Sequence, residues 1–422
     1  MPENQATNPL SKYCDANKQT LGRETPSDFM FRYIDLSSVD EGTIDWHKTR
    51  VLSLAGSPSR ARRIVQPGDV LFSTVRPGLM GHAIVREPGD LPIIGSTGFA
   101  VLSPKADADG RFLFHSLFLD EFKRQVAQFE VGSNYPAINE SDLLRVKLGT
   151  VDGPSQSLIA DILDALDDAI LETDAVIEKL RIIHVGIIDD LLTRGLADDG
   201  SPREPSTLAE TNVGRRPATW TVANLGRFVV GAEYGTNLSL GDSSAGIPVL
   251  RMNNIQDGEF DLSDLKYGPA YAVERFRLQR NDVLFNRTNS WEHVGKAAIW
   301  RQDEPGPAFA SYLVRLHCGD ALLPEFLHLW LNWAPVQRAI RQFATPGVQQ
   351  VNINPTNLRR ALIAVPDTLD EQRAIIKRVN GVAAAIKDHR RERAKLSSLR
   401  EGLRDDLLTG RKPVVAIREA AE

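Results

Sequence analysis

The pentapeptide DDLLT occurs at Asp189–Thr193 and again at Asp405–Thr409. So short a match decides nothing alone, but the sequence around it repeats as well. At a shift of about 215 positions the two halves of the chain come into line, as an internal duplication requires. GDVLFS (Gly68–Ser73) faces NDVLFN (Asn281–Asn286), and MGHAIV (Met80–Val85) faces VGKAAI (Val294–Ile299). RFLFHSLFL (Arg111–Leu119) faces EFLHLWLNW (Glu325–Trp333), and Ile138-Asn139 face Ile353-Asn354. Upstream, YIDLSSVDEG (Tyr33–Gly42) faces VLRMNNIQDG (Val249–Gly258). The matches keep their order and the shift drifts by only a few residues. The chain reads as two copies of one unit, each a mixed domain followed by a long helix.

The helical parts carry a heptad-like seam, apolar positions alternating by four and three. In the first it runs through Ile159, Leu163, Leu166, Ile170, Thr173, Ile177, Leu180, His184, Ile187 and Leu191. The repeat carries it to Ile375, Val379, Val382, Ile386, His389, Arg393, Leu396, Arg400, Leu403 and Leu407. The second seam is weaker at its middle, where Arg393 and Arg400 replace apolar side chains. A lone amphipathic helix is unstable in water, so each seam needs a partner. Between Ser155 and Gly200 there are eleven acidic side chains against three basic; between Asp370 and Lys412 there are seven against twelve. Opposite flanking charge is the pattern of a hetero-pair, so the two helices are expected to pair with each other within the chain. The alternative is that each seam packs only on its own domain.

Within each domain, GDVLFS and NDVLFN read as strands entering turns. The segments beginning RFLFH and EFLHL read as amphipathic helices. The expected class is α+β, two repeated α/β-mixed domains separated by two long helices pairing as a coiled coil. The boundaries follow as a first domain over 1–154, a helix over 155–200 and a polar linker over 201–216. A second domain spans 217–367, a second helix 368–412 and a tail 413–422.

The chain has 422 residues, too many for one ordinary core, and a net charge of −5. No apolar run approaches the roughly 18–20 residues of a membrane span. The amino terminus lacks the basic start and apolar stretch of a secretory signal, so a cytoplasmic protein is expected. Two cysteines, Cys14 and Cys318, supply neither a disulfide framework nor a CxxC metal site. No phosphate-binding GxxxxGK[ST] loop, GxGxxG or HExxH occurs, so no catalytic or metal-ligating residue is assigned. The one weighed exception is DLSDLK (Asp261–Lys266), whose carboxylates and lysine could serve a metal-dependent nuclease; a polar turn is the plainer reading.

Arginine clusters are the stronger functional candidates. RARR supplies Arg60, Arg62 and Arg63 ahead of one strand, and RFRLQR supplies Arg275, Arg277 and Arg280 ahead of the other. Arg76 follows the first strand; Arg287 and Asn289 follow the second. The loops GSNYP, with Asn134 and Tyr135, and GVQQVN, with Gln349 and Gln350, precede the repeated Ile-Asn. Arg, Asn and Gln read base edges through paired hydrogen bonds, and Arg also grips phosphates, so these residues are candidates for DNA contact.

IPVLRMNNI (Ile247–Ile255), QRNDVLFNR (Gln279–Arg287), VQQVNINPTNL (Val348–Leu358), the helix start DEQRAII (Asp370–Ile376) and LREGLRDDLLTGR (Leu399–Arg411) resemble the specificity subunit of Type I restriction–modification systems. The likeness extends from about Leu10 to Lys412, nearly the length expected of two domains. The first half departs from the family pattern: it keeps only Gln156 of the EQR start, and FRYIDL replaces PVLRMNNI. The resemblance implies two target-recognition domains, each reading half of a split double-stranded DNA site, with the two long helices paired as an antiparallel coiled coil that sets the gap and docks two modification (methyltransferase) subunits. It implies no active site and no bound cofactor here. S-adenosylmethionine would serve the modification subunits, and ATP and Mg2+ the restriction subunits of the complex. The competing readings are a self-sufficient nuclease and a scaffold that does not bind DNA.

Overall fold

The computed structural model describes residues 6–86, 89–347 and 350–414. Two helices dominate it, Gly153–Arg194 and Leu369–Leu408, called here the central and the C-terminal helix. The chain divides into two compact units, Met1–Ala175 with Arg390–Glu422, and Val176–His389. Each unit therefore holds one mixed domain, one half of the central helix and the opposite half of the C-terminal helix.

The first unit has two four-stranded sheets. Met30–Ile34 lies parallel to Ile93–Ser96, with Arg50–Ser53 and Ala61–Val65 at the edges. Val70–Ser73, the GDVLFS strand, pairs antiparallel with Phe99–Pro104 and Ala83–Ile84. The second unit repeats this plan. Ile247–Leu250 lies parallel to Ala308–Phe309, and Val283–Asn286 pairs antiparallel with Leu313–Cys318 and Ala297–Ile299. The amphipathic segments form Gly110–Ser116 and Asp120–Phe129 in one copy, Pro324–Asn332 and Ala334–Ile340 in the other. Even left-handed backbone recurs: Glu41-Gly42 and Asp257-Gly258 have positive φ at matched turns, and Asn281 at +68° takes the place of Gly68 at +90°. Asn tolerates that region better than most residues, which lets ND substitute for GD.

The two DDLLT segments behave unlike a simple tandem repeat. Leu191 and Leu192, which close the first copy in sequence, are buried in the second unit's core with Trp220, Phe285, Phe326 and Ile375. Leu407 and Leu408, which close the second copy, are buried in the first unit's core with Leu10, Phe72, Phe112 and Ile159. Each copy's closing leucines thus complete the other copy's domain. Burying a leucine is worth about 1.5–3 kcal/mol, so both exchanges contribute substantially to the unit they enter.

Ile159, Leu163, Ile170, Ile177 and Leu191 are buried, and Leu166 and Leu180 half-buried. Ile375, Val379, Ile386 and Leu407 are buried, with Val382, Leu396 and Leu403 half-buried. Arg393 and Arg400 are no part of the apolar seam, because each turns to an aspartate of the central helix, Asp174 at 3.3 Å and Asp167 at 2.9 Å.

Two polar side chains at the helix starts have structural roles. Gln156 and Gln372 are nearly fully buried. Gln156 accepts from Asp109 N (3.1 Å) and donates to Val151 O (2.8 Å); Gln372 accepts from Leu323 N (2.9 Å) and donates to Ala321 O (2.9 Å). Each amide ties a long helix to the loop that starts the neighbouring short one. The expected linker is partly folded. Arg203 pairs with Glu371 at 2.5 Å, while Arg216 is buried with its guanidinium 5.1 Å from the Trp333 ring. Glu371 also accepts from Leu196 N (2.9 Å) and Trp220 Nε1 (3.1 Å), so the linker's cation and the indole that follows the linker both find the helix start. Of the tail, Val414 is buried and 415–422 lie outside the described residues. Among the described residues, no helix is long and apolar enough to cross a membrane.

Candidate nucleic-acid interface

In each unit the strand that names the repeat delivers a turn to the same place. Ile138 N donates to Thr74 O (3.0 Å), and Val75 bridges Ala137. In the second unit Ile353 N donates to Arg287 O (2.8 Å), and Thr288 pairs with Asn352. The loop before the repeated Ile-Asn is thereby laid against the turn after the strand, which brings the candidate side chains together.

In the first unit Arg76, Asn134 and Tyr135 are exposed. The Arg76 guanidinium lies 4.4 Å from the centre of the Tyr135 ring, and its Nη2 donates to Asn134 O (3.4 Å). Arg76 itself is left-handed, φ +48°, held by its own N–H to Pro136 O (2.7 Å). Leu79, Val131 and Tyr135, on the same turn and loop, are exposed large apolar side chains. A strained non-glycine residue beside such a patch is the sort of local cost that functional sites retain.

In the second unit Arg287 lies 5.1 Å over the Tyr234 ring and donates to Asn352 Oδ1 (2.9 Å). Asn289 Nδ2 donates to Met252 O (3.3 Å), and Gln350 Nε2 approaches Met252 Sδ at 3.6 Å. Arg287, Asn289 and Gln350 therefore converge on Met252 and Tyr234, with exposed Trp291 and Tyr312 nearby in the chain. Gln349 lies outside the described residues. Tyr234 and Met252 were not singled out from sequence. Met252 belongs to the RMNN turn already noted, whereas nothing in the segment around Tyr234 marks it.

The two basic segments are placed differently. Arg60 and Arg62 are exposed and Arg63 half-buried, its Nε without a partner among the described residues. Arg60 O accepts from Thr97 N (2.8 Å), and the adjacent Gly98 O accepts from Thr74 N (2.9 Å), so this segment borders the Arg76 turn. In the second unit that bordering place belongs to Thr236, whose carbonyl accepts from Ser311 N (2.8 Å). Arg280 instead pairs with Asp303 at 2.5 Å, and Arg277 donates to the carbonyls of Gly306 (2.9 Å) and Pro305 (2.6 Å). Arg275 lies 4.5 Å over the Phe276 ring.

Other chemistry is weaker. Asp264 is engaged by Arg251 at 2.7 Å and Lys266 by Asp242, so the DLSDLK side chains are tied into surface ion pairs. His115, Asp164 and Asp167 bring potential ligand atoms within 4.8 Å of one another. Yet Arg86 holds both Asp164 oxygens (2.8 and 2.9 Å), and Arg111 reaches Asp161 at 2.6 Å. Burial raises the Asp164 pKa, but the hydrogen bonds from Arg86 and His115 outweigh it and hold the carboxyl well below its usual range. A cation there would have to displace a guanidinium already neutralising the site. Burial pushes both thiols, Cys14 and Cys318, up to about 12, which leaves them protonated and unreactive. A cavity of about 680 Å3 in the second unit is lined by His184, Asp189, His328, Trp333, Arg338 and others.

Residues 39–180 match the family model described as Type I restriction modification DNA specificity domain. The chain is 21% identical over 294 residues to the type I restriction enzyme EcoKI specificity subunit of Escherichia coli, covering 67% of this chain and 61% of that one. It is 27% identical over 155 residues to the EcoBI specificity subunit of Escherichia coli (36% and 31% covered), and 22% identical over 331 residues to the MjaVIII specificity subunit of Methanocaldococcus jannaschii (76% and 75%). The chain spans less than two thirds of the length of the EcoKI and EcoBI subunits. Among solved structures, the type I system S subunit of M. genitalium aligns with TM-score 0.57 at 12% identity, covering 96% of both chains. A chain from work on the complex assembly of the type I R-M system aligns with TM-score 0.59 at 19% identity, covering 97% of this chain and 99% of that one. At these identities the structural likeness shows the fold.

Proposed function

We propose, for a chain that belongs to the family of Type I restriction–modification specificity subunits, that it is the DNA-recognition subunit of such a complex. Each mixed domain reads one half of a bipartite double-stranded site, and the paired helices set the number of base pairs between the halves. The observation that carries this reading is that the repeated turn bears in each unit an arginine laid on a tyrosine beside amide side chains, at positions offset within the repeat. Arginine and amides are the side chains that discriminate base edges, and exposed aromatics suit a face that meets stacked bases. Arg60, Arg62 and Arg63, beside the first turn, suit phosphate contact. A net charge of −5 is compatible with DNA binding when basic faces are local and partners supply the remaining phosphate contacts.

Within this reading the chain performs no chemistry. Methyl transfer from S-adenosylmethionine belongs to two docked modification subunits, and ATP- and Mg2+-dependent work to restriction subunits. The setting is the cytoplasm. The test is binding of DNA by the chain assembled with its modification subunits, followed against salt. Replacing Arg60 and Arg62 by alanine is expected to weaken binding to all sequences alike and lower the salt slope by about one per lost contact. An unchanged slope would remove these arginines from the interface.

A further inference from the structure

Arg76 and Arg287 differ from the arginines around them. Arg280 pairs with Asp303, Arg277 with Glu274 and Arg251 with Asp264, but among the described residues no carboxylate pairs with Arg76 or Arg287. Each is instead clamped. Its guanidinium lies on the face of a tyrosine from a distant segment, 4.4 Å over Tyr135 and 5.1 Å over Tyr234, and a hydrogen bond to Asn134 O or Asn352 Oδ1 fixes rotation in the plane. Asn352 is itself anchored, its Nδ2 donating to Thr288 Oγ1 (2.9 Å). The supporting tyrosines remain 69% and 45% exposed, so the clamped planes lie at the surface.

A phosphate also accepts an arginine fork, but from many directions around its oxygens, so it is served well by a mobile side chain. A guanidinium confined between a ring face and a hydrogen-bond acceptor gives up that adaptability, and its remaining N–H donors are held to a restricted range of directions. That fork matches the O6 and N7 acceptors of guanine in the major groove, which are the usual bidentate target of arginine. Arg76 holds this pose from left-handed backbone, a cost an ordinary surface arginine has no reason to bear.

The two arginines also differ in repeat position. Arg287 N donates to Tyr312 O as Thr74 N donates to Gly98 O, so Arg287 stands where the first unit has Thr74, and Arg76 stands where the second has Asn289. Building on the DNA-reading function above, we infer that Arg76 and Arg287 each read one guanine, one per half-site, at places offset from each other in the frame of the repeat.

The experiment maps modified motifs in DNA from cells carrying the chain with its modification subunits, for the wild type, Arg76→Lys and Arg287→Lys. Lysine keeps the charge and loses the fork. Arg76→Lys is expected to relax one guanine of one half-site by roughly 10- to 100-fold and leave the other half intact; Arg287→Lys does the converse. With the wild-type complex, replacing the same guanine by 7-deazaguanine, which lacks N7, weakens binding comparably, a readout that needs no variant to fold. Half-sites lacking a specified guanine, or lysine variants with unchanged motifs, would overturn the assignment while leaving the recognition function standing. A wild-type complex that marks no bipartite motif would overturn both.

Discussion

Asp167 of the central helix and Arg400 of the C-terminal helix are 2.9 Å apart, although 233 residues separate them in sequence. Seven residues further along the first helix and seven back along the second, Asp174 meets Arg393 at 3.3 Å. Two pairs one heptad apart, running in opposite senses, fix an antiparallel arrangement in the first unit. In the second unit the end of the central helix meets the start of the C-terminal one, where Glu371 accepts from Leu196 N. The surplus of negative charge on one helix and positive on the other is thereby used.

These ion pairs are partly exposed, so each should contribute little to stability and more to register. A double-mutant cycle on Asp167→Asn and Arg400→Gln, followed by chemical denaturation, is expected to give a coupling of about 0.5 kcal/mol that shrinks with added salt. A coupling of several kcal/mol would mean that the pair is far better shielded from water than its exposure indicates.

The exchange of closing leucines makes a sharper forecast. Leu408→Ala should cost about 2–5 kcal/mol, typical of a buried leucine, and raise hydrogen exchange in Val70–Ser73 and Phe99–Pro104. Leu192→Ala should act instead on Val283–Asn286 and Leu313–Cys318. If each mutation loosened the domain adjoining it in sequence, the exchange would be refuted.

Gln372 is expected to be structural. Gln372→Leu keeps the volume but leaves Leu323 N and Ala321 O unbonded, which should lower stability by about 1–3 kcal/mol. Base preference should be unaltered, as read by motif mapping. A changed motif with unchanged stability would assign this glutamine to readout.

Acid sensitivity follows from His82, buried in the first unit, and His328, half-buried in the second. Burial pushes His82, whose Nδ1 accepts from Ser73 N, down to about 3, and His328 down to about 4. Below the ordinary value near 6.5 the unfolded chain takes up a proton that the folded chain refuses, so stability is full above that pH and falls as acid is added toward pH 3–4. His82→Asn should flatten this limb for the first unit, observed as a transition temperature that no longer drops between about pH 6 and 4. A limb unaffected by the substitution would remove His82 as its cause; depressed carboxylates such as Asp164 lose their contribution only at lower pH, below the ordinary carboxylate value.

Much of the architecture was legible because the duplication doubles every signal: a strand, a helix pair and a seam each appear twice in the same order. What the pattern conceals is which core each DDLLT enters, since Leu191-Leu192 and Leu407-Leu408 present the same apolar pair to either. Arg393 and Arg400 looked like flaws in a seam only because a one-dimensional period ignores aspartates on another helix. At the site, Arg76, Asn134 and Tyr135 were found from one loop and one turn. Arg277 and Arg280 looked equally available in sequence, but their partners Gly306, Pro305 and Asp303 come from a later loop. Tyr234 stayed hidden for the same reason, being brought beneath Arg287 by the fold alone.

The most direct test of the account maps modified bases in cells carrying, with their partner subunits, either the native chain or one with a heptad added to each long helix. Seven residues lengthen a helix by about 10 Å and preserve the seam, and about 10 Å corresponds to on the order of three base pairs. The expected result is the same two half-sequences separated by a longer gap. Altered half-sequences across an unchanged gap would contradict it.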